Sequence, residues 1–333
     1  MCKKSFLSIV IGICFSLPLP SFIKYKRQRI RGKGGGKMTK KIAIIGGDAR
    51  QIEMAEYLQD AGINVYLIGF DLWNRNRIGI TKATGNGDTP WNDLDAIILP
   101  VSGLKPNNKV EAAFAENKLY LEENWVQQLN SSCLVMTGIS SKELDTIMER
   151  YKRAGIALLE RDDVAIYNSV PSAEGVLLMA MQETNITIHQ SNTLILGFGR
   201  TGQTIASTFL ALGAYAKVGT IYPSEKARAE AMGLDVFDMS ELKTMIQTAD
   251  ICINSIPTRV LTEDILVHVP NNALLIDIAS RPGGTDFEYA AKRGVKALQA
   301  PGLPGVVAPK TAGRILGRVI SQLLDENQVN KED

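Results

Sequence analysis

The chain has 333 residues, 45% of them hydrophobic, with 37 Lys and Arg against 35 Asp and Glu. That length suits two domains rather than one. Nine of the basic residues and none of the acidic ones fall in the first 37 positions, leaving 28 basic against 35 acidic side chains, a net charge of −7, in the remainder. An acidic body without a basic cluster excludes the electrostatic footprint of a nucleic-acid binder.

Residues 5–23 form an apolar run behind Lys3-Lys4 and before KYKRQRIRGK, the pattern of a signal-like segment or a short anchor. No small-x-small cleavage site follows it cleanly. The hexapeptide Gly32–Lys37 directly precedes Met38, and its purine-rich Gly and Lys codons match a translated ribosome-binding site. Residues 1–37 are therefore expected to be a non-native extension, with Met38 as the true first residue and no membrane segment in the body.

From Met38 the chain opens with KIAIIGGDARQIEMAEYLQDAG and then INVYLIGF, a β-α-β pattern with Gly46-Gly47 at its turn. The turn lacks three-glycine spacing, which assigns residues 38–168 to a Rossmann-like substrate domain. Arg50, just after GGDA at a helix start, is a candidate anion contact, and the loop Pro100–Leu104 is expected beside it. Cys133 and Cys252 sit in apolar, strand-like segments, as reduced core thiols of a cytoplasmic protein do. His189 and His268 have no ligand partner at useful spacing, so no metal site is expected.

Helical signals follow at Pro171–Met181, with proline read as a first-turn residue. The strand TLIL then runs into Gly197-Phe198-Gly199-Arg200-Thr201-Gly202. Gly197 permits the tight turn, Gly199 lets backbone approach a pyrophosphate, and Gly202 lets the next helix pack close, with the anion at that helix's N-terminus. A strand before and a helix after supply the context this fingerprint needs. Residues 169–310 thus read as a dinucleotide-binding domain. Its further strands AYAKVGT, ADICINSIP, ALLIDIA and VKALQAPG make a doubly wound parallel sheet, an α/β fold whose ligands lie beyond the carboxyl ends of the strands.

Those strand ends supply the candidate site residues. No acid occurs between Gly213 and Ser224 to bond an NAD ribose, whereas Thr220, Ser224, Lys226 and Arg228 offer hydroxyls and charge to a 2′-phosphate. NADP is expected, with NAD as the alternative. Ser255 and Pro257 are placed on the cofactor, together with Arg200 and Thr201. Arg281, in IDIASRPGGTD, has a guanidinium suited to bidentate capture of a carboxylate, and Lys310 with Thr311 opens the last helix. The apolar stripe Ile315, Leu316, Val319, Ile320, Leu323 and Leu324 returns that helix, 311–325, to the first domain. The active site is then expected in the cleft between two Rossmann-like domains.

The runs IAIIGGDARQ, ERDDVAIYNSVPSAEG, LILGFGRTG, ICINSIP, LLIDIASRPGGTDF and APGLPGVVAPKTAG resemble those of the dipicolinate synthase A-subunit family over about residues 40–325. The resemblance implies oxidation of dihydrodipicolinate to dipicolinate with NADP, in a hetero-oligomer with the flavoprotein-like B-subunit of dipicolinate synthase, in the mother cell of a sporulating bacterium. Arg50, Arg281 and Lys310 would then meet the two carboxylates of a small ring, and a homo-oligomer of the chain is also expected. Two other readings stand beside this one. A D-2-hydroxyacid dehydrogenase has similar architecture but needs a histidine acid near the last helix, where this chain has Pro309-Lys310-Thr311. A noncatalytic dinucleotide-binding scaffold is compatible with the same fold.

Overall fold

A computed structural model describes residues 39–280 and 282–332, with side chains described to Val329. The expected extension 1–37, Met38 and Arg281 lie outside the described residues.

The first half runs β1 (Lys41–Ile45), α1 (Ala49–Asp60), β2 (Asn64–Ile68), β3 (Ile80–Ala83), β4 (Ala96–Ile98), a small antiparallel hairpin of β5 (Lys109–Val110) and β6 (Leu119–Tyr120), α2 (Glu123–Gln128), β7 (Leu134–Thr137), α3 (Lys142–Arg150) and β8 (Gly155–Ala157). Its main sheet has the order β3-β2-β1-β4-β7-β8, and all of its pairs are parallel. In the central strands, Ile42 to Ile45 and Ala96 to Ile98 are buried, as strands covered by helices on both faces must be.

Next comes α4 (Asp162–Glu183), and then β9 (Asn192–Leu196), α5 (Arg200–Ala211), β10 (Tyr215–Thr220), α6 (Pro223–Ala231), β11 (Asp235–Asp238), α7 (Leu242–Met245), β12 (Ile251–Asn254), α8 (Glu263–Leu266), β13 (Leu274–Asp277), α9 (Phe287–Arg293), β14 (Lys296–Gln299), α10 (Leu303–Val307) and α11 (Pro309–Glu332). The second sheet, β11-β10-β9-β12-β13-β14, repeats the order of the first and is again parallel. The doubly wound α/β reading therefore holds for both halves.

Two long helices tie the halves together. On α11, Ile315, Leu316, Val319, Ile320 and Leu324 are buried in one cluster with Ile42, Ile44, Met54 and Leu58 of the first sheet and α1. The stripe read from the sequence thus does return the chain to its start. On α4, Val164 belongs to that first cluster, while Ala173, Val176 and Ala180 belong to the core of the second sheet. This helix is apolar and long enough to cross a membrane, but here it joins two cores.

The start expected for this helix at Pro171 needs correction. The helix begins nine residues earlier, at Asp162, and Pro171 lies inside it. The true start carries Asp162 and Asp163 in the first turn, favourable charges at a helix N-terminus. Proline withdraws one backbone donor from the interior, and nearby Ser169 and Ser172 hydroxyls bond the carbonyls of Ile166 (2.6 Å) and Asn168 (2.9 Å). Position 168/169, expected to divide the domains, consequently falls inside one continuous helix.

Candidate functional site

The fingerprint sits at the carboxyl end of β9 and the start of α5. Gly197 has φ +87°, a region costly for any residue with a Cβ. A Cβ on Gly202 would lie 2.2 Å from the Gly197 carbonyl oxygen, so the helix reaches the strand only because glycine is there. Gly199 behaves differently, since a Cβ built on it meets nothing within 4 Å. It is the N-cap of α5, and no side chain caps that helix. The first turn of a helix leaves backbone N–H groups without intrahelical partners, and here they adjoin open space at the positive end of the helix dipole. An anion of pyrophosphate size fits that cradle.

The space is a cleft of about 670 Å³ lined by the whole fingerprint, by Thr220 at the end of β10 and Ile221, Tyr222 and Glu225 beyond it, by Ser255, Ile256, Pro257 and Thr258 beyond β12, and by Ile278, Ala279 and Ser280 beyond β13. Four carboxyl ends of one parallel sheet therefore converge on it, as the switch-point rule expects. Buried side chains hold the rim. Asn254 donates to the Ile256 carbonyl (3.0 Å) and accepts from the Ile256 amide (3.1 Å). Asp277 accepts from the amides of Ala279 and Gly284, both at 2.9 Å, and from the Thr285 hydroxyl at 2.6 Å. It thereby fixes both ends of the loop that contains Arg281.

Of the expected cofactor contacts, Gly197, Gly199, Arg200, Thr201, Gly202, Thr220, Ser255 and Pro257 all line the cleft. Arg200 is also paired with Asp162 at 2.9 Å. The expectation for the 2′-phosphate fares differently. Lys226 is bonded to Asp238 at 2.5 Å, and that ammonium holds the Asp238 carboxyl well below the usual carboxylate range. Ser224 and Arg228 lie on α6 and do not line the cleft. The Thr220 hydroxyl accepts from the Tyr222 amide (3.2 Å) and donates to Glu225. Glu225, one residue beyond the stretch searched for an acid, is the cleft residue that sequence reasoning missed. Its signal was an acid in the first turn of a helix opened by Pro223.

A second cavity, of about 540 Å³, lies at the carboxyl end of the first sheet, lined by Gly47, Asp48, Arg50, Pro100, Val101, Ser102 and the β5–β6 hairpin with Lys109, Glu111 and Lys118. Arg50 is there as expected, its side chain only 13% exposed, but it is not a free cation. Its Nε and Nη2 bond Asp48 at 3.0 and 2.7 Å. Burial works against the Asp48 carboxylate, yet the hydrogen bonds and charge of Arg50 prevail and hold its pKa below the ordinary value. The same guanidinium abuts α10, where a Cβ on Gly305 would lie 2.8 Å from Nε. The GLPG turn of the second half is thus seated on the candidate anion contact of the first. Lys310 and Thr311 are exposed at the start of α11 and line neither cavity.

Comparison with known proteins places this geometry. Residues 41–159 match a family model for the N-terminal domain of the dipicolinate synthase A-subunit, and residues 170–282 match the NAD binding domain of D-isomer specific 2-hydroxyacid dehydrogenases. Over 291 residues the chain is 46% identical to the dipicolinate synthase A-subunit of Bacillus subtilis (strain 168), covering 87% of this chain and 98% of that one. The chain belongs to the dipicolinate synthase A-subunit family.

Solved structures agree. The dipicolinate synthase A-subunit from Bacillus halodurans superposes with a TM-score of 0.83 at 45% identity, covering 87% of this chain and 99% of that one. Its Bacillus subtilis counterpart gives 0.84 at 45%, covering 88% and 98%. A transhydrogenase from Sinorhizobium meliloti, 16% identical with a TM-score of 0.61 over 85% of this chain and 94% of that one, shares the fold. The second half of the chain is accordingly a dehydrogenase-type domain for a nicotinamide dinucleotide.

Proposed function

We propose that this chain is the dehydrogenase component that oxidises dihydrodipicolinate to dipicolinate. The observation that carries the reading is the uncapped fingerprint helix opening onto a cleft, in a chain so similar to the dipicolinate synthase A-subunit. When bound, the oxidised nicotinamide supplies a hydride acceptor. One ring carbon of the substrate loses a hydride, a second ring position loses a proton, and an aromatic pyridine, a reduced dinucleotide and H⁺ result. Aromatisation drives the step, so the protein's task is to orient two rings and exclude competing geometry.

Arg281, from its place in the sequence after β13, is assigned to a substrate carboxylate. Arg50 is a second candidate, through the guanidinium hydrogens that Asp48 does not take, with Lys310 a third. The sequence favours NADP through the absence of an acid up to Ser224. Thr220 and Lys226, each engaged by a carboxylate of this chain, weaken that preference. The flavoprotein-like B-subunit as partner, a cytoplasmic location in a sporulating mother cell and a homo-oligomer belong to the same proposal. The last is supported by Ile166, Val170, Leu178 and Met181, all exposed along α4. The D-2-hydroxyacid alternative shares only the dinucleotide domain with its family model, and Lys310 stands where that chemistry needs histidine.

The test is reduced-nicotinamide absorbance from purified protein, dihydrodipicolinate and either oxidised dinucleotide, with and without the B-subunit. Reduction linked to dipicolinate formation is expected. Its absence with both cofactors and with both components present would leave the noncatalytic scaffold in place of the enzyme.

A further inference from the structure

We propose that Asp48 is a positioning residue for one carboxylate of the substrate: it occupies the inner edge of the Arg50 guanidinium and so presents the outer edge to the cavity of the first half. The inference rests on the function proposed above and deepens it at that cavity.

The backbone donors that open α1 are already matched by its capping box, so an anion at this end of the first sheet must be held by side chains. A guanidinium carries five N–H donors in one rigid plane, enough for two carboxylates on two different edges. Asp48 takes the edge nearer the backbone. Its Oδ1 accepts from Nε at 3.0 Å and its Oδ2 from Nη2 at 2.7 Å, while Oδ1 also accepts from the Arg50 amide at 2.9 Å. The edge made by Nη1 and the second hydrogen of Nη2 is left over, and no hydrogen bond from Nη1 is found among the described residues. Helix α10 closes a further side. A Cβ on Gly305 would lie 2.8 Å from Nε and 2.9 Å from Cζ, so only bare backbone fits there. A swing of the side chain therefore breaks the Asp48 pair or meets α10. A free arginine loses rotamer freedom when it grips a carboxylate, whereas Arg50 is ordered before the ligand arrives.

The lining charge allows an anionic guest. Arg50, Lys109 and Lys118 stand against Asp48, Glu111 and Glu116 around the cavity. Glu111 is itself engaged by Lys105 at 3.4 Å and by the Ser102 hydroxyl, and no ion pair is found on Lys109 or Lys118 among the described residues. A carboxylate on the outer edge would thus have the guanidinium between itself and Asp48, with two further cations on the same cavity.

Isothermal titration of the full chain with pyridine-2,6-dicarboxylate, in the presence of oxidised dinucleotide, tests this without turnover. Arg50→Ala is expected to weaken the dicarboxylate roughly 30-fold or more, the loss of a buried charge contact. Asp48→Ser keeps an N-cap oxygen, and with it the stability of α1, but removes the clamp. It should weaken the dicarboxylate about tenfold, raise KM for dihydrodipicolinate with kcat within a few-fold, and leave dinucleotide affinity alone. Because Asp48 acts through Arg50, the double variant should bind no more weakly than Arg50→Ala. Wild-type affinity in Asp48→Ser would reduce Asp48 to a cap, tighter binding would make it a competitor for Arg50, and a further loss in the double variant would give it a contact of its own. Each of these, or wild-type affinity in Arg50→Ala, would overturn the assignment while leaving the proposed function intact. Failure of the wild type both to bind the dicarboxylate and to oxidise dihydrodipicolinate would remove that function and this inference with it.

Discussion

The two halves have the same strand order and each begins with strand, glycine turn and helix, yet their first turns are finished in opposite ways. At β1 the helix is closed by its own side chains. Asp48 accepts from the Arg50 amide at 2.9 Å, Gln51 Oε1 accepts from the Asp48 amide at 2.8 Å, and a Cβ on Gly47 would meet the Gln51 side chain at 2.3 Å. This is a complete capping box, with the donors that would hold an anion already matched. At β9 the cap is Gly199, which has no side chain to offer, and space lies beyond it. One topology thus yields a self-satisfied helix start and an open one, and only the open one needs a ligand to complete it.

The largest effect that sharpens this contrast is expected from Gly199→Val. A branched side chain would enter the space where a pyrophosphate belongs, while the fold, with nothing to clash against, survives. Losing two charge-assisted contacts costs about 3–6 kcal/mol, or on the order of 100- to 10,000-fold in dinucleotide affinity. Titration calorimetry, with circular dichroism as the check on folding, measures it. Unchanged affinity in a folded variant would make the fingerprint merely structural.

Arg281→Ala comes next. Removing a bidentate carboxylate contact is expected to lower kcat/KM for the dicarboxylate by roughly 30- to 1000-fold. Arg281→Lys should be impaired too, because a point charge cannot reproduce two parallel bonds, and dinucleotide affinity should hold in both. Steady-state kinetics with cofactor titrations separate these terms, and near wild-type efficiency would shift the carboxylate anchor to Arg50 or Lys310.

The fifth strands in sheet order carry the contrast into stability. The last residue of β7 is Thr137, whose hydroxyl donates to the Pro100 carbonyl at 3.0 Å. The last residue of β13 is Asp277, which holds three donors around the 280–285 loop. Asp277→Ala should cost about 2–4 kcal/mol by leaving buried donors unmatched, and Thr137→Val about 1 kcal/mol. Urea unfolding compares them, and equal losses would mean that the site-side sheet is no more dependent on its rim than the other.

The smallest effect crosses the first. Asp48→Ala removes a cap and should cost about 1 kcal/mol of stability while leaving dinucleotide affinity unchanged, the reverse of Gly199→Val. Thermal denaturation beside the same titration reads both. A drop in dinucleotide affinity in Asp48→Ala would erase the distinction between the two turns.

Much of this was legible from residue order alone. Buried strands, the glycine fingerprint and the heptad-like stripe of α11 are local patterns, so two parallel sheets and the return of the last helix could be read from them. What escaped depended on side chains meeting from different elements. Lys226 reads as a free cation until β11 brings Asp238 to it, and Arg50 reads as an anion contact until its own N-cap residue folds back on it. Glu225 was hidden because the acid was sought at the strand end, whereas a helix delivers it. Pro171 misled because proline marks helix starts more often than interiors, although the Asp162-Asp163 pair upstream signalled the real start.

The central claim is that the open turn, and not its closed counterpart, takes the dinucleotide. A crystal structure of the full chain with NADH tests it most directly. The account predicts the pyrophosphate at the N-terminus of α5, against the backbone of Gly199 to Gly202, with the Gly46–Asp48 turn unchanged and Gln51 still across it. A pyrophosphate seated at the start of α1, with Gln51 displaced, would contradict it.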